Sequence, residues 1–383
     1  MNQDLELYVH IPFCVRKCSY CDFLSGCRTY DDQSRYMKKL LEEIACSSVL
    51  TDAYTVRSIF IGGGTPSVLD PVQICDILFV IRRYYHVAED AEITIECNPG
   101  TTMRHKFARY REAGINRLSI GLQSADNAEL KTLGRIHSFE EFLKSYQAAR
   151  MEGFTNINVD LMNCFPTQTA ASWRRTLKNV QMLRPEHISV YNLIVEEGTP
   201  MASLLKEGKL SMPSEEEMEA IDAVTEELMA AQKYVRYEVS NYAKEGFSCR
   251  HNRGYWTGVP YLGFGLGASG LFRDIRYRNT AEFEAYLDTD FTVTGTEDYG
   301  RTKAEQERLT EAEKMREFMI LGLRLTEGIR LAEFEVRFGK KLEDVYGSVT
   351  EKYGKMGLLE QEAGMLRFSK RGMNVSNVIL AEF

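Results

Sequence analysis

The stretch that decides the fold is Tyr8–Cys21, YVHIPFCVRKCSYC. It follows directly on a short apolar strand, LELYVHI, and carries Cys14, Cys18 and Cys21 in a CX3CX2C spacing. Thiolate sulfur is the ligand that iron–sulfur clusters require, and three cysteines within eight residues can hold one face of a cube. The fourth iron of such a cluster has no protein ligand, so this spacing predicts a cluster that binds another molecule.

Other uses of three cysteines fit the spacing less well. A structural zinc site normally closes with four ligands, and a redox pair needs only CXXC. Three reduced cysteines in a loop without metal is the remaining alternative, but structural free cysteines are usually isolated and buried. The spacing therefore favours the cluster.

Composition sets the broad class. A chain of 383 residues with 44% hydrophobic content can bury one large core and a second, smaller domain. The net charge of −8 argues against nucleic acid as a partner, and no run of about 18 apolar residues predicts a membrane span. The opening MNQDLELYV lacks the blocks of a signal peptide, and nine irregularly spaced cysteines indicate a reducing compartment. We expect a cytoplasmic protein.

The first half of the chain alternates two patterns. Short apolar runs rich in β-branched residues predict strands at Leu5–Ile11, Val56–Ile61, Ala91–Cys97, Asn116–Leu122, Thr155–Leu161 and His187–Ile194. Amphipathic stretches between them predict helices at Asp31–Val49, Pro71–Tyr85, Thr102–Ala113, Phe139–Glu152 and Ala170–Leu183. This alternation is typical of a parallel sheet with helical crossovers. Six units in about 195 residues suit a partial α/β barrel better than an open doubly wound sheet, although periodicity alone does not separate the two.

The pattern changes after Gly198. Ser214–Lys233 predicts a long acidic helix, and Tyr234–Tyr242 and Tyr261–Gly270 predict further strands. From about residue 302 three helices and a short strand pair around Met365–Phe368 are expected, and this segment is not basic enough to favour DNA binding. The predicted divisions are residues 1–198, 199–300 and 301–383. Gly265, Gly267 and Gly270 match GXGXXG formally, but no helix opens after them, which predicts a turn at the barrel mouth rather than a nucleotide site.

Polar residues stand where the predicted strands end. Gly62–Ser67, GGGTPS, follows the second strand and alone fits a tight turn as well as a binding loop. Glu96, Gln123, Asp160 and Tyr191 mark the ends of later strands, where an α/β barrel builds its active site. A buried carboxylate needs a partner, and for any one of them an ion pair with a helix arginine is the alternative. Together they predict one site.

The cysteine spacing, with Tyr20 just before the last cysteine, resembles the radical S-adenosylmethionine (SAM) superfamily, whose open iron chelates the amino and carboxylate groups of SAM. YVHIPFC…CSYCDF is similar to one branch, the oxygen-independent coproporphyrinogen III dehydrogenase family with its heme-chaperone relatives. This resemblance covers almost the whole chain. It implies a partial (β/α)6 TIM-like barrel with extra C-terminal strands and a small, helical, winged-helix-like C-terminal domain.

The resemblance also implies a ligand set. Cys14, Cys18 and Cys21 would hold a [4Fe–4S] cluster. The positions that match SAM contacts are Tyr8, Tyr20, Gly63, Gly64, Thr65, Glu96, Gln123, Arg135 and Asp160. The chain departs from the family after Asp160, where Asn163, Cys164 and Phe165 replace the usual glycine and leucine, so this loop is expected to differ in shape. Cys27 is interpreted as a stray thiol, with a protective cluster ligand or a contact to a second species as alternatives.

One segment separates the two branches. A histidine followed by aromatic residues can supply an axial iron ligand beside faces that stack on a porphyrin, although a single such histidine is more often packing. The string HNXXYW marks the heme-chaperone branch, and here it is His251, Asn252, Tyr255 and Trp256. Phe23 stands where the dehydrogenase branch has a further cysteine, and the long extension that this branch carries ahead of the cluster is not expected here.

The resemblance therefore implies a heme chaperone that binds a [4Fe–4S] cluster, SAM and heme and delivers heme to respiratory hemoproteins. A homodimer and peripheral membrane contact are compatible with it. One alternative is oxidative decarboxylation of coproporphyrinogen III through a 5′-deoxyadenosyl radical. The other is a radical SAM enzyme that modifies heme by methylation or ring opening.

Overall fold

The computed structural model describes residues 2–101, 104–292 and 303–383. Six parallel strands lie side by side in chain order and confirm the predicted α/β sheet. They are β1 (Gln3–Ile11), β2 (Tyr54–Gly63), β3 (Val87–Cys97), β4 (Arg117–Gln123), β5 (Ile157–Asn163) and β6 (His187–Asn192). Within the described residues β1 and β6 do not pair with each other, so the barrel is partial, as expected.

Helices connect these strands, and all but the short helix Asn127–Thr132, which was not predicted, lie within a few residues of the predicted bounds. They are α1 (Tyr30–Ser47), α2 (Pro71–Tyr84), α3 (Arg104–Glu112), α4 (Asn127–Thr132), α5 (Phe139–Met151) and α6 (Ala170–Met182). The predicted start of the third helix at Thr102 lies outside the described residues. Capping boxes at Thr29, Asp70, Ser138 and Thr169 satisfy backbone N–H groups and fix where four of these helices begin.

The strands alternate between two faces, because successive side chains of a strand point to opposite sides of a sheet. One face packs under the helices and is apolar, for example Leu7, Ile59 and Ile93, all fully or almost fully buried. The other face carries polar residues, for example Glu6, Ser58 and Glu92, and these are also buried. The inner surface of the barrel is therefore unusually polar for a protein interior.

The middle of the chain extends the sheet at both edges. Its elements are α7 (Pro200–Lys206), α8 (Glu215–Ala231), β7 (Val235–Arg236), β8 (Asn241–Ala243), α9 (Arg250–Thr257), β9 (Tyr261–Phe264), β10 (Ser269–Phe272), β11 (Ile275–Arg278), α10 (Phe283–Asp288) and β12 (Glu305–Arg308). β9 pairs parallel to β1 and is followed by antiparallel β10, β11 and β12, while β8 and β7 continue beyond β6.

Two predicted strands were wrong in extent. Tyr234–Tyr242 divides into β7 and β8, and Tyr261–Gly270 divides into β9 and β10. Gly265 and Gly267 have positive φ, +100° and +63°, and turn the chain between β9 and β10. Because β9 runs parallel to β1, this turn lies at the carboxyl end of the barrel strands, where the sequence predicted a turn.

The C-terminal part forms its own apolar cluster around residues such as Met319, Phe334 and Leu366. It contains α11 (Glu311–Gly322), β13 (Ile329–Arg330), α12 (Leu331–Phe338), α13 (Leu342–Lys355), β14 (Leu359–Glu362), β15 (Met365–Phe368), α14 (Lys370–Asn374) and α15 (Ser376–Leu380). The division at 198/199 remains a prediction, and that at 300/301 lies outside the described residues. No helix in the described ranges is long and apolar enough to cross a membrane.

Candidate functional site

The cysteine loop is fixed at both ends and in its middle. Phe13 and Gly26 form a β-bridge, and the Cys14 N–H donates to Gly26 O at 3.0 Å. Ser19 N–H donates to Leu133 O at 3.2 Å, and Ser19 O accepts from Met201 N–H at 2.9 Å. The loop therefore holds Cys14, Cys18 and Cys21 at the carboxyl end of β1, each partly exposed.

The donor set suits a cluster better than a single ion. Three thiols share one loop, while no three His, Cys, Asp or Glu side chains in the described part of the chain are grouped as around one metal ion. Iron–sulfur clusters are held by cysteine thiolates, so three partly exposed thiols in one loop fit such a cluster. Cys27 is exposed and donates its thiol to Val15 O at 3.0 Å.

The glycine loop after β2 lies against the cysteine loop. Thr65 N–H donates to Phe13 O at 2.7 Å, and Thr65 Oγ1 is 3.5 Å from Cys14 Sγ. A Cβ at Gly64 would lie 2.7 Å from Phe13 O, and one at Gly63 would lie 2.5 Å from His10 Nδ1. Gly63 also has φ of +109°. Both positions thus require glycine so that the two loops can meet.

Glu96 and Asp160 lie on the inner face, Glu96 one residue before the end of β3 and Asp160 in the middle of β5, three residues before its end. Neither forms an ion pair with a described residue. Glu96 Oε2 accepts the Gly63 N–H at 3.1 Å. Burial, and then the Asp160 carboxylate, raise the pKa of Glu96 to about 8, against the opposing effects of the Gly63 N–H and Arg117. Asp160 accepts hydrogen bonds from Ser119 Oγ and Asn158 Nδ2, both at 2.8 Å. The paired carboxyls are therefore poised for a cationic ligand.

Arg135 joins the cysteine loop to the end of β4. Its Nη1 donates to Cys18 Sγ at 3.5 Å and its Nη2 to Gly121 O at 2.7 Å. Its Nε is buried and has no hydrogen-bond partner among the described residues. Gln123 ends β4 with φ of +74°, after a register shift between Gly121 and Gln123. The strained backbone sets the direction of this amide beside the arginine.

The two tyrosines occupy different parts of the site. The Tyr8 hydroxyl is 2.9 Å from His10 Nδ1, and His10 Nε2 is 2.9 Å from Leu24 O, so Tyr8 belongs to a chain that supports the cysteine loop. Tyr20 packs with the small apolar cluster around Leu133 and Met162. Burial raises the pKa of Tyr20.

The structure adds residues that the sequence analysis did not single out. His10 stands between Tyr8 and Gly63, and Asn98 contacts both Arg135 and Thr65. Ser119 and Asn158 orient Asp160. His10 lies within the quoted stretch and Asn98 two residues after Glu96, so position alone could have indicated these two.

The HNXXYW segment lies at the opposite end of the strands. It forms α9, which packs on Glu6, Ser58 and Glu92, each five residues before the end of its strand. At about 3.3 Å per residue, this places the helix roughly 17 Å from the carboxyl ends. The structure therefore brings the predicted cluster ligands and most of the predicted SAM residues together at the carboxyl ends. It places His251 deeper in the barrel, where Phe60 lies between the His251 and Tyr8 rings, 5.2 Å and 6.4 Å from them.

Glu92 holds the beginning of α9. Its carboxylate accepts the Arg250 N–H at 3.1 Å and the His251 N–H at 3.3 Å, together with the Cys249 thiol. An anion at a helix N-terminus is favourable, and here it replaces the side-chain cap that Cys249 does not give. Gly254 lies directly on the Glu6 carboxyl, leaving no space for a Cβ.

His251 is 1% exposed, and both ring nitrogens have partners. Nδ1 is 2.8 Å from Ser58 Oγ. The Ser58 hydroxyl donates its proton to Glu6 Oε1 at 3.0 Å, so Ser58 Oγ accepts a hydrogen bond from the His251 Nδ1–H. Nε2 is therefore the nitrogen with the lone pair, and it accepts the Tyr255 hydroxyl at 2.9 Å. Burial lowers the pKa of His251 to about 3, so the imidazole is neutral at physiological pH.

The two faces of α9 have different neighbours. His251 and Tyr255, four residues apart, face the barrel, and Phe60 stacks on the His251 ring at 5.2 Å. Trp256 instead lines a cavity toward the C-terminal part, and the Arg324 guanidinium lies 5.5 Å from its ring centre. Asn252 is half-buried at the start of the helix.

Known protein families and a solved structure match most of this chain. The radical SAM superfamily profile matches residues 8–180, and the HemN C-terminal domain profile matches residues 309–375. The solved structure of coproporphyrinogen III oxidase (HemN) from Escherichia coli, a radical SAM enzyme, has a TM-score of 0.85 over 99% of this chain and 90% of that chain, at 24% identity. This likeness establishes the fold.

Relatives at higher identity narrow the family. Heme chaperone HemW of Bacillus subtilis (strain 168) is 32% identical over 98% of each chain. Heme chaperone HemW of Escherichia coli (strain K12) is 33% identical over 99% of this chain and 98% of its own. The mitochondrial radical S-adenosyl methionine domain-containing protein 1 of Danio rerio is 31% identical over 98% of this chain and 86% of its own. The chain therefore belongs to the HemW family of the radical SAM superfamily.

Proposed function

We propose that this protein is a heme chaperone with two separate binding regions, one for a [4Fe–4S] cluster with SAM and one for heme. The observation that carries the proposal is the HNRGYW segment, His251–Trp256, in a chain similar over 98–99% of its length to proteins named heme chaperone HemW. Transfer of this heme to hemoproteins of respiration and homodimer formation are parts of the same proposal.

The carboxyl end of the strands holds the cluster and SAM in this proposal. Cys14, Cys18 and Cys21 are the cluster ligands, and the open iron supplies an electron and a binding position for SAM. Glu96, with its raised pKa, and Asp160 face the positive charges of SAM. Gly63, Gly64 and Thr65 bring backbone groups to the same place, since their loop packs on the cysteine loop.

In this proposal the remaining predicted SAM residues position the cysteine loop and the neighbouring strands around SAM. Arg135 fixes Cys18 relative to β4 and offers its Nε, which has no described partner. Gln123 lies beside it, Tyr20 lies between the cysteine loop and the apolar cluster, and Tyr8 holds His10.

The heme residues are His251, Asn252, Tyr255 and Trp256. His251 is neutral, which is the form in which imidazole ligates iron. Its Nε2 lone pair is capped by Tyr255, so ligation requires that this hydrogen bond be broken and that α9 shift from the barrel. Breaking this one hydrogen bond costs about 1 kcal/mol net. The shift of α9 also breaks its hydrogen bonds to Ser58 and Glu92, which adds to the cost of ligation.

The test is heme binding under anaerobic conditions. The reconstituted protein is mixed with heme and desalted, and its absorption spectrum is recorded for wild type and His251→Ala. We expect wild type to retain heme and the variant to lose it. Because His251 is buried, thermal unfolding of both proteins must show that the variant is folded; Tyr255→Phe, which keeps the ring, provides a second variant.

Two other outcomes would favour the alternative functions. Wild type that retains no heme but converts coproporphyrinogen III to protoporphyrinogen IX would overturn the proposal in favour of the dehydrogenase. Loss of the heme spectrum only when SAM and reductant are both present would instead favour an enzyme that modifies heme.

A further inference from the structure

A cleft lies between α9 and the C-terminal part. Its volume is about 330 Å³. Trp256 and Leu271 line it on the barrel side, and Phe318, Leu325 and Ile329 on the C-terminal side. This volume is at the low end of the range for small-molecule sites, so the cleft accepts one edge of a large planar ligand.

Trp256 supplies an unpaired donor at this cleft. Its Nε1 is buried and has no hydrogen-bond partner within the described residues. Buried indole N–H groups usually find an acceptor, so this group points to an acceptor other than the described residues of the chain. The same ring offers an aromatic surface on the cleft wall.

The charged side chains that line the cleft and form no ion pair with a described residue are mostly cationic. Lys314 pairs with Asp274 at 2.9 Å, Glu317 with Arg276 at 2.7 Å and Glu327 with Arg253 at 2.6 Å. Among the described residues, the lining side chains left without an ion pair are three cations and one anion: Arg273, Arg330, Arg337 and Glu333. Guanidinium groups bind carboxylates through two parallel hydrogen bonds, so this set favours a ligand with carboxylates.

Arg330 and Arg337 line the same cleft as Trp256. Arg337 reaches the C-terminal end of α9, where a Cβ at Gly258 would lie 3.1 Å from Arg337 Nη1. Gly258 is the left-handed cap of that helix, two residues after Trp256, and has φ of +72°. Arg330 ends β13 and lines the same cleft.

We infer that this cleft is the docking site for the carboxylate-bearing edge of heme. Arg273, Arg330 and Arg337 pair with the two propionates, and the macrocycle edge lies against Trp256. The inference rests on the proposed function and adds residues outside the HNXXYW segment. Since Trp256 lines the cleft and His251 faces the barrel, ligation of the docked heme by His251 requires a shift of α9.

The experiment is an anaerobic heme titration of the full, reconstituted chain. The test variant is Arg330→Gln/Arg337→Gln. The control is Arg371→Gln, an exposed arginine of the C-terminal part that has no described ion pair and does not line the cleft. Heme dimethyl ester, which lacks the propionate charges, is titrated in parallel.

We expect the double variant to bind heme about tenfold or more weakly than wild type and Arg371→Gln. Wild type should prefer heme over the dimethyl ester by a similar factor, and the double variant should lose this preference. Equal heme affinity of the double variant and wild type, with no preference over the ester, would overturn the docking site and leave the proposed function standing. Wild type that binds no heme would overturn both.

Discussion

The two ends of the barrel use the same inner face in different ways. At the carboxyl end, Glu96 and Asp160 lack ion pairs with described residues, and Arg135 Nε lacks a partner. At the amino end, Glu92 and His251 have their polar atoms engaged by α9 and β2. Buried polar atoms without a described partner occur in both regions, Arg135 Nε near the cysteine loop and Glu6 Oε2 and Trp256 Nε1 beside α9. The regions differ because α9 engages Glu92 and His251, whereas Glu96 and Asp160 have no ion pair with a described residue.

The largest expected effect concerns the carboxyl end. Replacing Cys14, Cys18 or Cys21 with alanine should abolish the cluster, because a cube held by two thiolates has too few protein ligands. Iron and acid-labile sulfide after anaerobic reconstitution measure this. The control is Cys27→Ala: the Cys27 thiol donates to Val15 O and has no other hydrogen bond among the described residues, so its loss should leave the cluster intact. Cluster loss in Cys27→Ala would assign Cys27 to the ligand set.

A second prediction concerns the closed end. Gly254→Ala places a Cβ against the Glu6 carboxyl, so α9 must move, and we expect a loss of about 1–3 kcal/mol in the free energy of unfolding. Urea denaturation measures it. Gly354→Ala is the matched control, since no atom lies within 4 Å of its Cβ in α13; it should gain about 0.5–1 kcal/mol. Unchanged stability of Gly254→Ala would show that α9 is loosely held.

A third prediction uses the pKa of Glu96, which is raised to about 8. The ionised form of Glu96 attracts SAM. Below about pH 8 the Glu96 carboxyl must release a proton when SAM binds, so the affinity for SAM should fall by up to about tenfold for each pH unit below this value. Without SAM, the folded state holds more protons than the unfolded state between about pH 4.5 and about pH 8, so the free energy of unfolding should fall as pH rises across this window.

Equilibrium binding of SAM across this pH range checks the third prediction. Glu96→Gln should bind SAM more weakly and with a flatter pH profile, while Glu89→Gln, at an exposed position of β3, should behave as wild type. A steep profile retained in Glu96→Gln would assign the titration to another group.

The smallest effect is expected at Tyr255. Tyr255→Phe removes the hydroxyl that caps His251 Nε2, so the lone pair becomes available and heme affinity should rise about fivefold, equivalent to about 1 kcal/mol. Tyr261→Phe is the control, because Tyr261 contacts the Tyr255 ring and makes no described bond to His251. A fall in heme affinity for Tyr255→Phe alone would mean that the hydroxyl itself contacts heme.

Local sequence pattern could place the carboxyl-end residues on neighbouring strands but could not place α9, for a physical reason. β1 to β6 each carry an apolar face that packs under the helices, and parallel strands align their ends, so Glu96 and Asp160 could be placed in one site from local pattern. The position of α9 depends on Glu6, Ser58 and Glu92, which are far away in the chain. No local pattern in His251–Trp256 indicates which end of the barrel it closes. The division of Tyr261–Gly270 depended on the turn at Gly265 and Gly267.

The central claim is that heme and the cluster occupy opposite ends of the barrel, and heme retention by two variants tests it most directly. Cys14→Ala/Cys18→Ala/Cys21→Ala and His251→Ala are each mixed anaerobically with heme and desalted, and iron–sulfur content and heme are measured. The account predicts that the cysteine variant keeps heme without a cluster and that His251→Ala keeps the cluster without heme. Heme lost with the cysteines and retained in His251→Ala would place heme at the carboxyl end and contradict the account.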